Sequence, residues 1–481
     1  MIKNKLALLD QYGKVMKLGY DATQRKAARR APRVAIKSED DELGKYDRQK
    51  LIATSKDQVR NIALVSWMYR KHLDYVSQFT FHAMTGNARK DKILENLWRE
   101  YSKKTNCDIA RRHSLNRIIR MFEAGKVIDG DCGLYKVNNG KLQGIEGARI
   151  AKPDRKKPTD KTKIEKINDH GLILDQYGAV DKYSITTLDN GTKLFEKFIT
   201  YDNLIFDGYF SRFNQTRGIS PLASALNIFQ DLYEATEYAL IKAKIHAMFG
   251  VAIMSDTVSS EGDGFYNYDS VTGTTPTSDT QENGYQFDLK YGLKLELEPG
   301  DKIDTIESKT PSTEFKEYTE LMIRIGMLAL DIPYTFYNSS GANFSSMKQD
   351  RVEYELSAKS KKEANQEALN MVADWKHQEW IDKGLLKGFS NANEIKYNWR
   401  ASGQPWLEEL KEIDAAAKRI DVGLSSRQLE AKKRGLDWYE LMEQRKEEDD
   451  YIKANDIIIT SGAPGQSSIQ ERESNVESSE E

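Results

Sequence analysis

Across residues 49–125 apolar positions recur at helical spacing, with Ile62, Val65, Met68, His72 and Val76 three or four residues apart. That period predicts helices whose apolar stripe enters a core. From 126 to 210 the period shortens. β-like runs at 133–137, 183–187 and 203–210 are separated by turn signals at Asn138-Asn139-Gly140 and Asp189-Asn190-Gly191 and by a charged, Pro-bearing loop at 154–158. Such punctuation predicts a small antiparallel β layer lying on helices.

Two later stretches read as long helices. Ser220 is suited to an N-cap and Pro221 to the first helical position, and Leu222, Leu226, Phe229, Tyr233 and Leu240 follow without a breaker until Gly250. One helix over 221–249 would be about 43 Å long at 1.5 Å per residue, longer than a compact domain usually needs. A second helix is capped by Ser312 or Thr313, carries Phe315, Tyr318, Met322, Ile325 and Leu328 on one face, and stops at Asp331-Ile332-Pro333. A polar loop with Asn338, Ser339, Ser340, Gly341 and Asn343 then leads into a helix starting near Ser345 or Ser346 and running to about Ile381.

The remaining segments are more polar. The first 48 residues carry Lys14, Lys17, Arg25, Lys26, Arg29, Arg30 and Arg33 with little apolar period, which predicts an arm, either solvated or in contact with an acidic neighbour or DNA. Residues 255–284 are rich in Gly, Ser, Thr and Asp, and predict a long loop before strand-like alternation at Leu293, Leu295 and Leu297. Beyond Trp399, Leu410, Ile413, Ala417 and Ile420 predict a helix, and Gly423-Leu424-Ser425-Ser426 caps another, with helical structure to about Ile452. The acidic, Ser-rich end has no apolar face and is expected to be disordered.

Composition narrows the function classes. With 481 residues, 39% of them hydrophobic, the chain can bury a sizeable core in two to four domains, and a mean hydropathy of −0.67 leaves much surface for water or subunit contacts. Lys plus Arg number 72 against 74 for Asp plus Glu, a formal net charge of −2, whereas a tight sequence-independent duplex binder is expected to be basic. Cys107 and Cys132 lie in no CxxC pattern, which suits a reduced, cytosolic setting. No apolar run reaches membrane-spanning length and the first residues do not resemble a signal peptide, so neither is expected.

Carriers of catalysis are weak. Asp129 and Asp131 flank Gly130 beside Cys132 and would serve as an acid-base or metal pair, but Asp-Gly-Asp is first a turn signal. The chain has no GxxxxGK[ST] phosphate loop and no HExxH pair, and its six histidines (His72, His82, His113, His170, His246, His377) are scattered. The expectation is a protein that is not an enzyme and uses no cofactor or metal.

One ordered set of motifs changes this picture. SQFTFHAMTGN (77–87) precedes CDIARRHSLNRIIRMFEAGKVIDGDCGLY (107–135), QGIEGARI (143–150) and HGLILDQYGAVDKYSI (170–185). The QTRGISPL turn, LELEPGDKI (295–303), the DIP and NFSS segments and GLSSRQLEAKKRGLDW (423–438) complete the series. The set, collinear from about Arg48 to about Asp449, resembles the lambda-type portal proteins of tailed bacteriophages.

That resemblance implies an α+β, mainly helical portal fold in a closed ring. Its divisions would be a basic arm (1–48), an α/β wing (49–219), stem helix 1 (220–249), a clip with an insertion (250–311), stem helix 2 (312–333), a tunnel loop (334–346), a tunnel or spine helix (347–384), a wing return with helical crown (385–455) and an acidic tail (456–481). It implies a head-tail connector at one capsid vertex, a dodecamer through which terminase packages double-stranded DNA and the genome later leaves. Partners would be the terminase large subunit, a head-tail adaptor, the major capsid and scaffold proteins and weakly held, sequence-independent DNA, with no membrane. The protein would reside in the virion after assembly in the host cytoplasm. Asn338, Ser339, Ser340, Gly341, Asn343, Ser345 and Lys348 would line the channel. Phe229, Tyr233 and Leu240, on the first stem helix, would face the neighbouring subunit. Read from its residues alone, the loop is an ordinary surface turn, and only the ordered resemblance points to a channel. The competing classes are a cytosolic enzyme built on residues 129–132 and a helical scaffold or adaptor.

Overall fold

The computed structural model describes residues 38–154, 167–189, 191–248, 252–255, 301–304, 312–401, 409–436, 438–455 and 457. The chain enters through α1 (Glu39–Glu42), α2 (Lys45–Asn61) and α3 (Ala63–Val76), and then forms a strand, β1 (Phe79–Ala83). That strand lies within the segment expected to be helical. Its aromatic and β-branched residues Phe79, Thr80 and Phe81 suit a pleated surface. Its antiparallel partner, β10 (Tyr397–Ala401), comes from far along the chain, with Phe79 opposite Ala401. A period read over a local window has no access to such a partner.

Helices α4 (Ala88–Tyr101), α5 (Lys104–Cys107) and α6 (Leu115–Asp129) follow. Then comes the expected β layer: β2 (Asp131–Val137), β3 (Lys141–Glu146), β4 (Leu172–Leu174), β5 (Val180–Asp189), β6 (Thr192–Thr200) and β7 (Leu204–Gly208). They make two antiparallel three-stranded sheets, ordered β3-β2-β7 and β4-β5-β6. The β2–β3 hairpin closes at Gly140, whose φ of 79° is open to glycine at little cost.

The expected helix over 221–249 is two elements. Residues Pro221–Ser224 form a 3-10 turn, and α7 runs from Leu226 to Met248. Ser220 caps as foreseen, its Oγ accepting from Leu222 N at 3.2 Å, but the same hydroxyl donates to Val127 O at 2.6 Å. This tether and the burial of Leu222 and Ala225 hold a tighter first turn against α6. Strands β8 (Ala252–Ser255) and β9 (Asp301–Asp304) pair antiparallel, and the rest of the expected clip, Leu293 to Leu297 included, lies outside the described residues.

α8 (Thr313–Met327) is capped by Ser312, which accepts from Phe315 N at 3.2 Å. α9 (Phe344–Asp382) has 39 residues, about 58 Å at 1.5 Å per residue, and its second half carries Ala368, Leu369, Val372 and Trp380 into the main core with Trp98, Phe122 and Leu134. A second core joins α2 and α3 to α7, α8 and Tyr354 of α9, and a third lies beneath β4–β6. Helices α10 (Glu409–Asp421), α11 (Arg427–Lys433) and α12 (Trp438–Ala454) follow β10, with Ser426 capping α11 as expected; none of the three buries a residue. Mainly helical with antiparallel sheet, the fold has the expected α+β character.

The arm expected over 1–48 ends earlier. Residues 1–37 lie outside the described residues, but Ser38 to Arg48 belong to the folded body: Asp40 accepts from Thr216 N and Oγ1, and Arg48 is buried. The acidic tail, apart from Ile457, also lies outside the described residues.

Candidate functional site

Between α8 and α9 the chain makes a short 3-10 turn at Leu328–Leu330, enters the left-handed region at Asp331 (φ 58°), and turns again at Tyr334–Phe336. Asp331 is tied to α9, its Oδ2 accepting from Ser357 Oγ at 2.5 Å and Lys361 Nζ at 2.8 Å. Thr335 Oγ1 donates to Asp350 at 2.7 Å. Behind the loop, Phe336, Tyr75 and Tyr354 form a ring trio with centroids 4.9 to 5.7 Å apart, and Tyr337 meets Trp67 edge-on at 5.9 Å. Offset and edge-to-face contacts of this kind stiffen a loop base.

The loop tip is exposed but ordered by its own side chains. Asn338 Oδ1 accepts from Ser340 N (2.9 Å) and Ser340 Oγ (2.5 Å) in an Asx turn, and Gly341 supplies the positive φ of 85°. Asn343 caps α9, its Oδ1 accepting from Ser346 N at 2.8 Å. The helix therefore begins at Phe344, one or two residues before the expected start at Ser345 or Ser346. Ser339, Ser340, Gly341, Asn343, Ser345 and Lys348 are exposed on one continuous stretch, and Asn338 is half-buried. Two of the amides have structural jobs: the Asn338 and Asn343 oxygens already bind backbone N–H groups, and Ser340 Oγ donates to Asn338, leaving the Ser339 and Ser345 hydroxyls and Lys348 as groups that face solvent.

The stem helices α7 and α8 meet where Phe229 lies on Gly326; a Cβ there would come within 2.5 Å of Phe229 Cε1. Phe229 is 0% exposed in the single chain, in the core with Met327, Leu330 and Tyr354. This corrects the expectation that it faces a neighbouring subunit: its surface is already used inside its own chain. Tyr233 and Leu240, 43% and 55% exposed, stay at the surface, together with Tyr238 and Ile241 of α7 and Tyr318 and Leu321 of α8.

At the stem root the structure brings Asp131 together with two arginines that the sequence reading did not select. Arg217, in the turn before Ser220, is buried and bidentate on Asp131 (Nε–Oδ2 2.7 Å, Nη2–Oδ1 2.8 Å). It also donates to the carbonyls of Gly147, Ile150 and His170. Asp131 accepts further from Arg48 Nη2 and Gly218 N, each at 2.9 Å. Burial works against the Asp131 charge, yet Arg217 and Arg48 hold its carboxyl below the usual range. Burial and the neighbouring Arg217 also lower Arg48, to about 10. One aspartate thus joins α2, β2 and the chain leading to α7. The signal in sequence was only a basic residue inside QTRGISPL.

A second buried set links the β layer to the spine. Lys126 Nζ contacts Glu123 (2.9 Å), Asp207 (2.7 Å) and Asn365 of α9 (3.0 Å), while Glu123 accepts from Tyr209 at 2.6 Å and lies 2.9 Å from His72 Nε2. Burial opposes the Glu123 charge, but Lys126 and the His72 hydrogen bond outweigh it and hold the carboxyl far below the usual range. His72, read as an ordinary core position, is therefore a polar member of the core.

The Asp129-Gly130-Asp131-Cys132 segment is occupied with structure. Asp129 accepts from Ala148 N at 2.9 Å and pairs with Lys56 at 3.2 Å, Asp131 holds the two arginines, and burial raises the Cys132 thiol far above its ordinary value. Gly130 has a φ of 93°, and a Cβ on it would meet the Gly218 carbonyl at 2.3 Å. Among the described residues no cluster of three or more His, Cys, Asp or Glu is arranged to hold a metal.

Comparison with known proteins agrees with this architecture. A probable portal protein of Halomonas phage phiHAP-1 is 21% identical over 354 residues, 69% of this chain but 65% of the relative's own length. The portal protein of Escherichia phage N15 is 22% identical over 392 residues, 73% of this chain and 72% of that protein. Among solved structures, a chain in the neck of an empty GTA particle computed with C6 symmetry has the same fold, with a TM-score of 0.52 at 14% identity over 81% of this chain and 94% of that one. The profile of phage portal proteins of the lambda family matches residues 25–360, and the chain belongs to that family.

Proposed function

We propose that copies of this chain close into a dodecameric ring at one vertex of a phage capsid, the head-tail connector through which double-stranded DNA enters and leaves. The observation that carries this reading is the exposed polar loop at the head of α9, braced from behind by Phe336, Tyr75 and Tyr354 and tied to α9 through Asp331. A projecting loop on a rigid base suits a channel constriction. The stem helices keep Tyr233, Tyr238, Leu240 and Tyr318 exposed, and Leu424 in the α10–α11 turn and Tyr439 of α12 are exposed as well; both are surfaces for adjacent copies.

A conduit must touch DNA without holding it. Each phosphate neutralised by Lys or Arg adds salt-dependent affinity, and strong affinity would stall translocation. Ser339 and Ser345 offer hydroxyls that exchange hydrogen bonds with phosphate or water, and Lys348 near the start of α9 adds one guiding charge. The chain itself needs no covalent chemistry, cofactor or metal for this task. Force comes from the terminase large subunit docked on the clip, with a head-tail adaptor taking its place later and the major capsid and scaffold proteins around the wing. The particle is assembled in the host cytoplasm and the ring stays in the virion. Negative-stain imaging with native mass spectrometry of the purified chain tests the reading: a closed ring of about twelve copies with a central hole is expected, and a monomer or dimer at all concentrations overturns it.

A further inference from the structure

Helix α9 and the C-terminal helices α10 and α11 face each other across two adjoining hollows, of about 690 and 380 Å³, that share Glu355 and Lys433. On α9 the lining residues Val352, Glu355, Lys359, Lys362 and Gln366 recur three or four positions apart, so they form one stripe of the helix. Apolar side chains, Ile413, Ala416 and Ile420 of α10 among them, lie between the charges. Ten lysine and arginine side chains line this groove against four glutamates, an excess of six in a chain whose formal net charge is −2.

The glutamates compensate these cations only in part. Glu430 serves both Arg419 at 3.2 Å and Lys433 at 2.9 Å, while Lys359–Glu363 and Lys362–Glu355 are stretched to 3.9 Å. Lys432 makes no ion pair among the described residues. Cations crowded along one cleft repel each other and attract a polyanion. The chain carries one: residues 469–481 hold five glutamates and one arginine, with Ile469 and Val476 among them. That segment is within reach. Leu441, near the start of α12, lines the groove, so the end of this 17-residue helix lies at most about 26 Å away. Residues 455–470 span about 50 Å when extended, and Gly462-Ala463-Pro464-Gly465 is a turn-forming run that permits the reversal.

We propose that residues 469–481 of this chain dock in the groove, their glutamates on Lys359, Lys362, Lys432 and Lys433. A single exposed ion pair contributes little. Several together, on a segment whose attachment to α12 gives it an effective concentration in the millimolar range, are enough to keep the groove filled. A filled groove no longer offers its row of cations to DNA phosphates, so the segment prevents a static grip on the duplex. The docking rests on the groove and the segment alone, and is open to test whether or not the chain closes into a ring.

Zero-length carbodiimide crosslinking of the full chain, read by mass spectrometry, tests the docking. Bonds from Glu471, Glu473 and Glu477 to Lys359, Lys432 and Lys433 are expected at about 50 mM salt and should fade at about 1 M. No such bonds, or bonds formed as readily to Lys103 and Lys182, which do not line the groove, overturn the proposal. Duplex binding gives a second readout. Glu471→Gln, Glu473→Gln and Glu477→Gln together in the full chain should raise affinity for a short duplex of random sequence at least about tenfold at about 100 mM salt. Adding Lys432→Glu and Lys433→Glu, both at exposed positions of α11, should remove that gain. Unchanged duplex affinity in the Gln variant, whether the groove already holds DNA or holds nothing, also overturns the proposal.

Discussion

Arg217 grips Asp131 with two parallel hydrogen bonds of 2.7 and 2.8 Å, both side chains fully buried, at the point where the β layer hands the chain to the stem. Bidentate pairing fixes direction as well as distance. Asp131→Ala would leave Arg217 and Arg48 buried without their counter-charge. The expected loss is about 3–5 kcal/mol of stability, read from the urea midpoint. Arg217→Lys should also destabilise, since one ammonium cannot span Asp131 and three carbonyls. A change below about 0.5 kcal/mol for Asp131→Ala, the range of ordinary surface substitutions, would show that the cluster is not structural.

Gly326 of α8 lies against the Phe229 ring of α7, and a methyl at Gly326 cannot fit without moving a fully buried ring. Gly326→Ala is expected to cost about 1–3 kcal/mol through overpacking. Phe229→Asp should unfold the chain, because its carboxylate would be buried without a partner. Tyr233→Asp and Leu240→Asp should instead keep the fold, seen as unchanged circular dichroism, and reduce ring assembly in native mass spectra. Intact rings from both would remove α7 from the subunit interface.

His377 gives the core a pH dependence. Its Nε2 accepts from Trp98 Nε1 at 2.9 Å, and burial lowers it to about 4. Protonation would break that bond and bury a charge. Because the unfolded chain takes up this proton near pH 6.5 and the folded one only near 4, stability should fall as pH drops through that window. Denaturation midpoints between pH 7 and 4 check the sign, and His377→Phe should flatten the slope there. The Asp131 and Glu123 carboxyls, held below their ordinary values, add a further loss below about pH 4.3.

Deleting Ser339 to Ala342 removes only the loop tip, since the ring trio and the Asp331 tether lie outside it. Circular dichroism and ring size should be unchanged. Packaging or retention of DNA in an assembly assay should drop. If the rings dissolve, the tip is a subunit contact; if packaging and retention both survive, it is a passive turn.

The capping residues were legible in the chain: Ser220, Ser312 and Ser426 all accept from a nearby backbone N–H, and the β2–β3 turn falls at Gly140 as its Asn-Asn-Gly signal implies. These depend on bonds reaching two or three residues, so local sequence contains the whole cause. The exposed polar run at 339–345 was legible for the same reason. Strand β1 was not, because its ladder needs β10, and neither was the fate of Phe229, because apolar spacing marks a buried face without saying which chain covers it. In sequence Asp131 reads as part of an Asp-Gly-Asp turn, and Arg217 and Arg48 as two unrelated charges far from it. Only folding, which removes water from all three and brings α2, β2 and the stem turn within hydrogen-bond reach, makes them a single ion cluster.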